Sequence, residues 1–179
     1  MGKKSSNRPV MTVRARPGHP ASGMLRFGAL TMRCALGRSG VTACKREGDG
    51  ATPLARMRLC YAMSKPRSGL PVRTRLPHRS TRASDGWCDA VFDRNYNRPV
   101  RLPYAASAER MLRDDRLYDV CIVLDWNIGC RVQGRGSAIF LHVARPGYPP
   151  TEGCVALGPR DMARLLPYLT ARTVIHIVR

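Results

Sequence analysis

A cysteine and a histidine near the end of the chain are residue types that carry out covalent chemistry. His142 lies near the end of an apolar run, and Cys154 follows 12 residues later, after a loop that contains proline and glycine. Such a loop can turn the chain back so that the sulfur faces the imidazole. A cysteine beside a histidine has a lowered thiol pKa and reacts as a thiolate, with the histidine as its base. One interpretation of this pair is therefore an acyl-transfer enzyme.

Gly153, directly before the cysteine, strengthens this interpretation. Without a side chain it lets a substrate carbonyl approach the backbone closely, so the N–H groups of Gly153 and Cys154 are candidate oxyanion donors. The alternative is structural, because cysteine is among the residues most often buried. Cys154 would then be an inert core residue and His142 a hydrogen-bonded residue at a strand end. These residues alone leave both interpretations open.

Apolar runs and alternating patterns predict the elements that must position this pair. Strands are predicted at 11–16, within 25–36 as a pair, and at 56–63, 120–125, 137–143 and 173–178. Helices are predicted at 107–117 and 159–169, with 64–86 as a surface segment and 85–98 as a structured loop. Many short strands and one or two modest helices predict a β-rich α+β domain with a mixed-strand, sandwich-like or barrel-like arrangement.

The charge of the chain suggests a second class of function. The 179 residues carry a net charge of +19, and residues 1–84 contain 18 of the 31 basic residues but only two of the 12 acidic ones. Such a field attracts polyanions, so a basic binding module with inert cysteines is the alternative hypothesis. The basic half has only Phe27 and Tyr61 as aromatic residues, which argues against a module that stacks nucleic-acid bases.

Other sequence features narrow the classes further. The seven cysteines are odd in number and include no C-x-x-C, so neither a disulfide framework nor a zinc site is predicted. The basic start of the chain has no apolar segment after it that would indicate a signal peptide, and no run approaches the length of a membrane span. The sequence predicts no oligomeric state.

Two separated segments resemble the L,D-transpeptidase (YkuD-type) catalytic domain family. His142 together with 151–155 (TEGCV) is similar to the family signature H…[ST]-x-G-C-[IV], and 45–53 (KREGDGATP) is similar to K-x-x-G-D-x-x-T-P near the start of that domain. They occur in the family's order and separation, and three further tracts, at 86–89, 96–97 and 136–140, agree with one proteobacterial branch. We therefore predict a flexible basic N-terminus at 1–10 and a catalytic domain at 11–179.

The resemblance implies a mechanism and a substrate. Cys154 is the expected nucleophile and His142 the expected proton donor and acceptor, and the group that orients the imidazole is left open between a backbone carbonyl, Ser137 and a carboxylate. The substrates are peptidoglycan stem peptides, resolved by an amine to a 3→3 cross-link or by water in a carboxypeptidase. No metal or cofactor and no nucleic acid take part, and the family works in the cell envelope, here the periplasm. Candidate substrate contacts are Trp87, Tyr96, Asn97, Arg145 and Thr151.

Several residues depart from the family pattern, and three others are predicted to be structural. Val143, Glu152 and Ala156 stand where many members have Gly, His and Arg, and Leu54-Ala55 replaces the usual Gly after T-P. These departures leave the nucleophile and base unchanged but alter groups expected near the bound peptide. Lys45, Asp49 and Thr52 are predicted to brace the fold.

Overall fold

The computed structural model describes residues 8–179, and its elements are mostly short strands. They are β1 (Val10–Arg16), β2 (His19–Phe27), β3 (Leu30–Ala35), β4 (Val41–Thr42), β5 (Thr52–Pro53), β6 (Arg56–Ser64), β7 (His78–Ser80), β8 (Asp85–Cys88), β9 (Arg98–Arg101), β10 (Ala108–Arg110), β11 (Val120–Leu124), β12 (Phe140–Val143), β13 (Val155–Leu157), α1 (Pro159–Leu165) and β14 (Val174–Val178). A 3₁₀ turn, Leu166–Tyr168, follows α1. Of the predicted flexible N-terminus, residues 1–7 lie outside the described residues, and Val10 already belongs to β1.

Eight of the strands close into a barrel. Their order around it is β11-β12-β13-β3-β2-β1-β14-β6, and β6 pairs again with β11. The β1–β14 and β12–β13 pairs are parallel and the other barrel pairs are antiparallel. β7 adds to β6 outside the ring. The predicted β-rich α+β fold is confirmed as a mixed barrel, with one short α-helix among residues 8–179.

The interior of the barrel is filled by aliphatic side chains and methionines. Alternate residues of β1, such as Met11 and Val13, point inward, which is why the sequence alternates there. Met162 and Leu165 of α1 join this cluster, which we call the inner core. Its buried members also include a cysteine but no aromatic residue. Burial of this apolar surface is the main force that holds the barrel together.

Strand β11 is buried on both of its faces, which explains its unbroken apolar sequence. Val120 and Ile122 belong to the inner core, whereas Cys121 and Val123 point away from the barrel axis into a second cluster. We call this second cluster the outer layer. Its buried members are Met63, Trp87, Met111, Tyr118, Cys121, Val123, Phe140 and Cys154.

A small antiparallel sheet, in the order β10-β8-β9, supplies part of the outer layer. Its strands correct two predictions, because 107–117 forms no helix and 85–98 is not only a loop. Ala108–Arg110 pairs with Gly86–Cys88, a partner distant in sequence that helical spacing cannot reveal. Met111, directly after β10, packs into the outer layer.

Candidate active site

The parallel pairing of β12 and β13 sets the position of Cys154. Leu141 pairs with Val155, so Cys154, one residue earlier, lies beside Phe140. The Phe140 N–H donates to the Cys154 Sγ at 3.3 Å, and the thiol donates to the Ala138 carbonyl at 3.2 Å. The sulfur is therefore held between two backbone groups.

His142 lies on the same outward face of β12 as Phe140. Its Nδ1 is 2.9 Å from the Val143 carbonyl oxygen, which can only accept a hydrogen bond. Nδ1 therefore carries the hydrogen, and Nε2 of the neutral ring is free to act as a base. The Tyr118 ring lies edge-on to the imidazole, with 5.4 Å between ring centroids. Of the orienting groups that the sequence left open, which were a backbone carbonyl, Ser137 and a carboxylate, the structure has the backbone carbonyl.

A cleft of about 320 Å³ contains both residues. Cys154 and His142 lie in its wall, so the loop between them does return as the sequence predicts. The other lining residues come from the Glu47 segment, β10 and the loop after it, and the 145–152 loop. They are Glu47, Asp89, Glu109, Arg113, Leu117, Tyr118, Ser137, Ala138, Arg145, Pro149, Pro150, Thr151, Glu152 and Ala156.

Burial keeps both reactive groups neutral in the resting site. It raises the pKa of the Cys154 thiol to about 12, and the nearby Glu109 carboxylate adds to the rise. Burial also lowers the pKa of His142 to about 4. Burial therefore favours a thiol and an uncharged imidazole in the resting site over the thiolate predicted from the Cys–His pair.

The backbone at Gly153 requires glycine. Its φ is +132°, and a Cβ there would lie 2.8 Å from the Ala51 carbonyl oxygen. The Gly153 N–H donates to the Thr151 hydroxyl at 3.2 Å, and that hydroxyl donates to the Cys154 carbonyl at 2.7 Å. In this conformation the Gly153 N–H is therefore already occupied. Thr151, although it borders the cleft, also braces the turn that presents the cysteine.

The segment that carries the second family-like motif forms a brace, as predicted. Lys45 Nζ lies 2.5 Å from the Asp49 carboxylate, and Asp49 also accepts from the Arg46 N–H at 2.7 Å. The Thr52 hydroxyl accepts from the Gly37 N–H at 2.8 Å. The Lys45 charge also opposes the rise in the Cys154 pKa.

Three of the five predicted substrate contacts lie behind the cleft wall instead. Trp87 is 2% exposed and Tyr96 and Asn97 are each 1% exposed, and none of them borders the cleft. The Asn97 side-chain oxygen Oδ1 accepts from the Trp87 indole N–H at 3.0 Å and from the Ala138 N–H at 3.1 Å. Predicting these residues as substrate contacts was wrong. Trp87 and Asn97 instead brace the Ala138 backbone that holds the Cys154 thiol.

Arg145 does border the cleft, in an ion pair with an acidic partner. Its Nη2 lies 3.2 Å from the Asp115 carboxylate, which Arg113 also binds at 2.8 Å. The two guanidinium groups hold the pKa of Asp115 well below its usual range, with Arg113 as the largest cause. Asp115 thereby ties the 145–152 loop to the segment after β10.

Several cleft residues were missed from the sequence, chiefly Glu109, Arg113 and Tyr118. All three lie in the stretch predicted as a helix or directly after it. The Tyr118 hydroxyl donates to the Glu109 carboxylate at 2.6 Å, and Arg113 lies 3.6 Å from the same oxygen. The sequence signal that could have identified them is local charge, because 109–119 contains four of the 12 acidic residues of a strongly basic chain.

The described residues also bear on disulfide bonds, metal sites and membrane-spanning helices. All seven cysteines are free thiols. Among residues 8–179, no group of three or more His, Cys, Asp or Glu side chains is arranged to hold a metal ion. Within the same range, none of the helical segments has the length and apolar character to cross a membrane.

The family model of the L,D-transpeptidase catalytic domain (YkuD) matches residues 25–177. The chain belongs to this family. Members of this family typically act on peptidoglycan in the cell envelope. No curated protein matches the chain.

Two solved structures resemble this family member at low identity. The structure of Bdellovibrio bacteriovorus Bd1075 is 17% identical with a TM-score of 0.48, covering 98% of this chain and 49% of that one. Mycobacterium tuberculosis L,D-transpeptidase 1 is 12% identical with a TM-score of 0.40, covering 96% of this chain and 62% of that one. The chain thus spans about half to just under two thirds of the length of these proteins.

Proposed function

We propose that this domain is a cysteine-dependent L,D-transpeptidase that transfers an acyl group from a tetrapeptide stem through a thioester on Cys154. The observation that carries the proposal is the shared cleft, in which a thiol and a neutral imidazole with a free Nε2 both border the same space. Family membership supports this activity over a basic binding module with inert cysteines. The site of action we propose is the periplasm.

The neutral resting state defines the first step. His142 Nε2 removes the thiol proton as Sγ attacks the carbonyl that precedes the terminal D-alanine, which forms the S–C bond. The Cys154 N–H is the proposed oxyanion donor, and the Gly153 N–H can join it only after exchanging its bond to Thr151. The C–N bond then breaks, and His142 returns its proton to the leaving amine of D-alanine. No metal or cofactor enters this sequence of steps.

The second step regenerates the thiol. An acceptor amine attacks the thioester, loses a proton to His142, and forms the 3→3 amide bond as sulfur leaves with that proton. If water attacks instead, the product is a shortened peptide and the domain is a carboxypeptidase. Both outcomes use the same two residues, so analysis of the products separates them.

Intact-mass spectrometry after carbapenem treatment tests the proposal. We expect one adduct with the full mass of the drug on the wild type and none on Cys154→Ala. The matched control is Cys121→Ala, which removes a buried thiol from the same outer layer and should leave the adduct in place. Absence of an adduct on the wild type, or its persistence on Cys154→Ala, would contradict the proposal.

A further inference from the structure

The cleft is acidic although the protein is basic. Four of the 12 acidic residues line it, namely Glu47, Asp89, Glu109 and Glu152, but only two of the 31 basic residues do. Both of these, Arg113 and Arg145, share the Asp115 carboxylate, which offsets part of their charge. A concave site of one sign attracts ligands of the other. The cleft therefore favours a cationic group.

Of the acidic residues in the cleft, Glu109 has contacts that lead most directly to His142 and Cys154. One carboxylate oxygen accepts from Tyr118, whose ring lies against His142, and the Glu109 charge affects the Cys154 thiol. Its side chain is 26% exposed, so it is shielded from bulk water yet open to the cleft. Arg113 lies 3.6 Å from the same carboxylate and offsets part of its charge.

Unpartnered polar groups in the same cleft give an independent indication of a ligand. Ser137 is 7% exposed and its hydroxyl makes no hydrogen bond of normal geometry, although it lies near the Tyr96 hydroxyl and opposes the rise in the Tyr96 pKa. One carboxylate oxygen of Asp89 is also buried without a partner. Such atoms are costly to leave unpaired. Both residues border the cleft, but these two oxygens are closed to solvent in this conformation, so a ligand reaches them only after the side chains rotate.

We propose that Glu109 and Asp89 form an ammonium-binding subsite for the side chain of the residue that is acylated at Cys154, with the Ser137 hydroxyl as a further hydrogen-bond partner. An ammonium group has three donors and no acceptor, which matches two carboxylates and a hydroxyl. The inference rests on the proposed function, because it assumes that a peptide acyl group reaches Cys154. It adds a reason for selecting an amine-bearing stem residue.

Paired tetrapeptides that differ only in this amine test the subsite. One carries diaminopimelate at the third position and the other carries 2-aminopimelate, which keeps the carboxylate but lacks the side-chain amine. The readout is single-turnover release of D-alanine, which reports acylation and needs no acceptor. Because hydrogen bonds to charged groups are among the stronger ones, we expect the wild type to prefer the amine-bearing peptide by about 10- to 100-fold.

Glu109→Gln should reduce this preference to within about threefold by slowing only the amine-bearing peptide. Asp89→Asn should reduce it in the same direction and covers the case in which Glu109→Gln does not fold. The matched control is Asp161→Asn, the same change as Asp89→Asn at a carboxylate of α1 that pairs with Arg164 and lies outside the cleft, which should leave the preference unchanged. Carbapenem adduct formation confirms that each variant keeps a competent Cys154.

Two results would overturn the subsite. One is equal acylation of both peptides by the wild type. The other is equal slowing of both peptides by Glu109→Gln, which would make Glu109 a positioning residue that acts through Tyr118. If the wild type releases D-alanine from neither peptide and forms no carbapenem adduct, the proposed function itself fails, a result distinct from the loss of amine selection.

Discussion

The two faces of strand β11 differ in chemistry although one short strand forms both. On the inner face the buried neighbours are aliphatic residues, methionines and a cysteine, with no aromatic ring among them. On the outer face three aromatic residues and two cysteines pack together, and the outer layer includes the proposed nucleophile. Apolar burial has no preferred direction, so it can stabilise a barrel without orienting any group.

The outer layer has to orient groups as well as bury them. Phe140 packs edge-on against Trp87 at 5.2 Å and against Tyr118 at 5.9 Å, and the Phe140 N–H binds the Cys154 sulfur. Rings and hydrogen bonds have directional geometry, which apolar contact alone lacks. We therefore expect stability to depend on both faces of β11, whereas the reaction depends on the outer face only.

Loss of the proposed base, His142, should lower the reaction rate more than any other change considered. At pH 7 a thiol with a pKa of about 12 is ionised in about one molecule in 10⁵, so the reaction needs His142 to take the proton. We expect His142→Gln to lower kcat/KM for D-alanine release by about 10²- to 10⁴-fold. Steady-state kinetics on the tetrapeptide measures this.

The matched control is His176→Gln, on β14 and outside the cleft, which should keep wild-type kinetics. Equal rates for His142→Gln and the wild type would show that the outer face does not supply the base.

The stability of the domain should depend on pH through the same histidine. Burial lowers the folded-state pKa of His142 to about 4, whereas the unfolded chain has a value near 6.5. Between these values the unfolded state binds the extra proton, so the free energy of unfolding falls as pH drops, by about 3 kcal/mol from this group. His142→Gln lacks this contribution, and urea unfolding at pH 7 and pH 4 measures it. The same loss in both proteins would indicate an imidazole open to water.

The strands that enclose the inner core could be predicted from the sequence more fully than the elements that supply the outer layer. Strands near 11–16, 56–63, 120–125 and 173–178 follow from local alternation or apolar runs, because each inward position must be apolar. The β8–β10 sheet was missed, since its strands are three or four residues long and pair with distant segments. Helical spacing in 107–117 instead reflected isolated apolar residues such as Met111, which pack into the outer layer.

The site could be predicted only in part for a similar reason. Cys154 and His142 were predicted as nucleophile and base by motif resemblance, which depends on residues close in sequence. Trp87 and Asn97 were mistaken for substrate contacts, because a buried hydrogen-bonded brace and a cleft wall use the same residue types. The raised thiol pKa was also missed, since it depends on burial, which no local pattern reports.

A matched pair of valines gives the smallest and most direct test of the comparison. Val120 and Val123 both lie in β11 and are fully buried, but Val120 faces the inner core and Val123 the outer layer. Changing either to alanine deletes two methyl groups, so each variant should lose about 2 kcal/mol of unfolding free energy. Only Val123→Ala should also slow D-alanine release, by about two- to tenfold, because it loosens the packing around Phe140 and Cys154. Urea unfolding and single-turnover kinetics on both variants measure the two effects, and equal slowing by Val120→Ala would show that the inner core also orients the thiol.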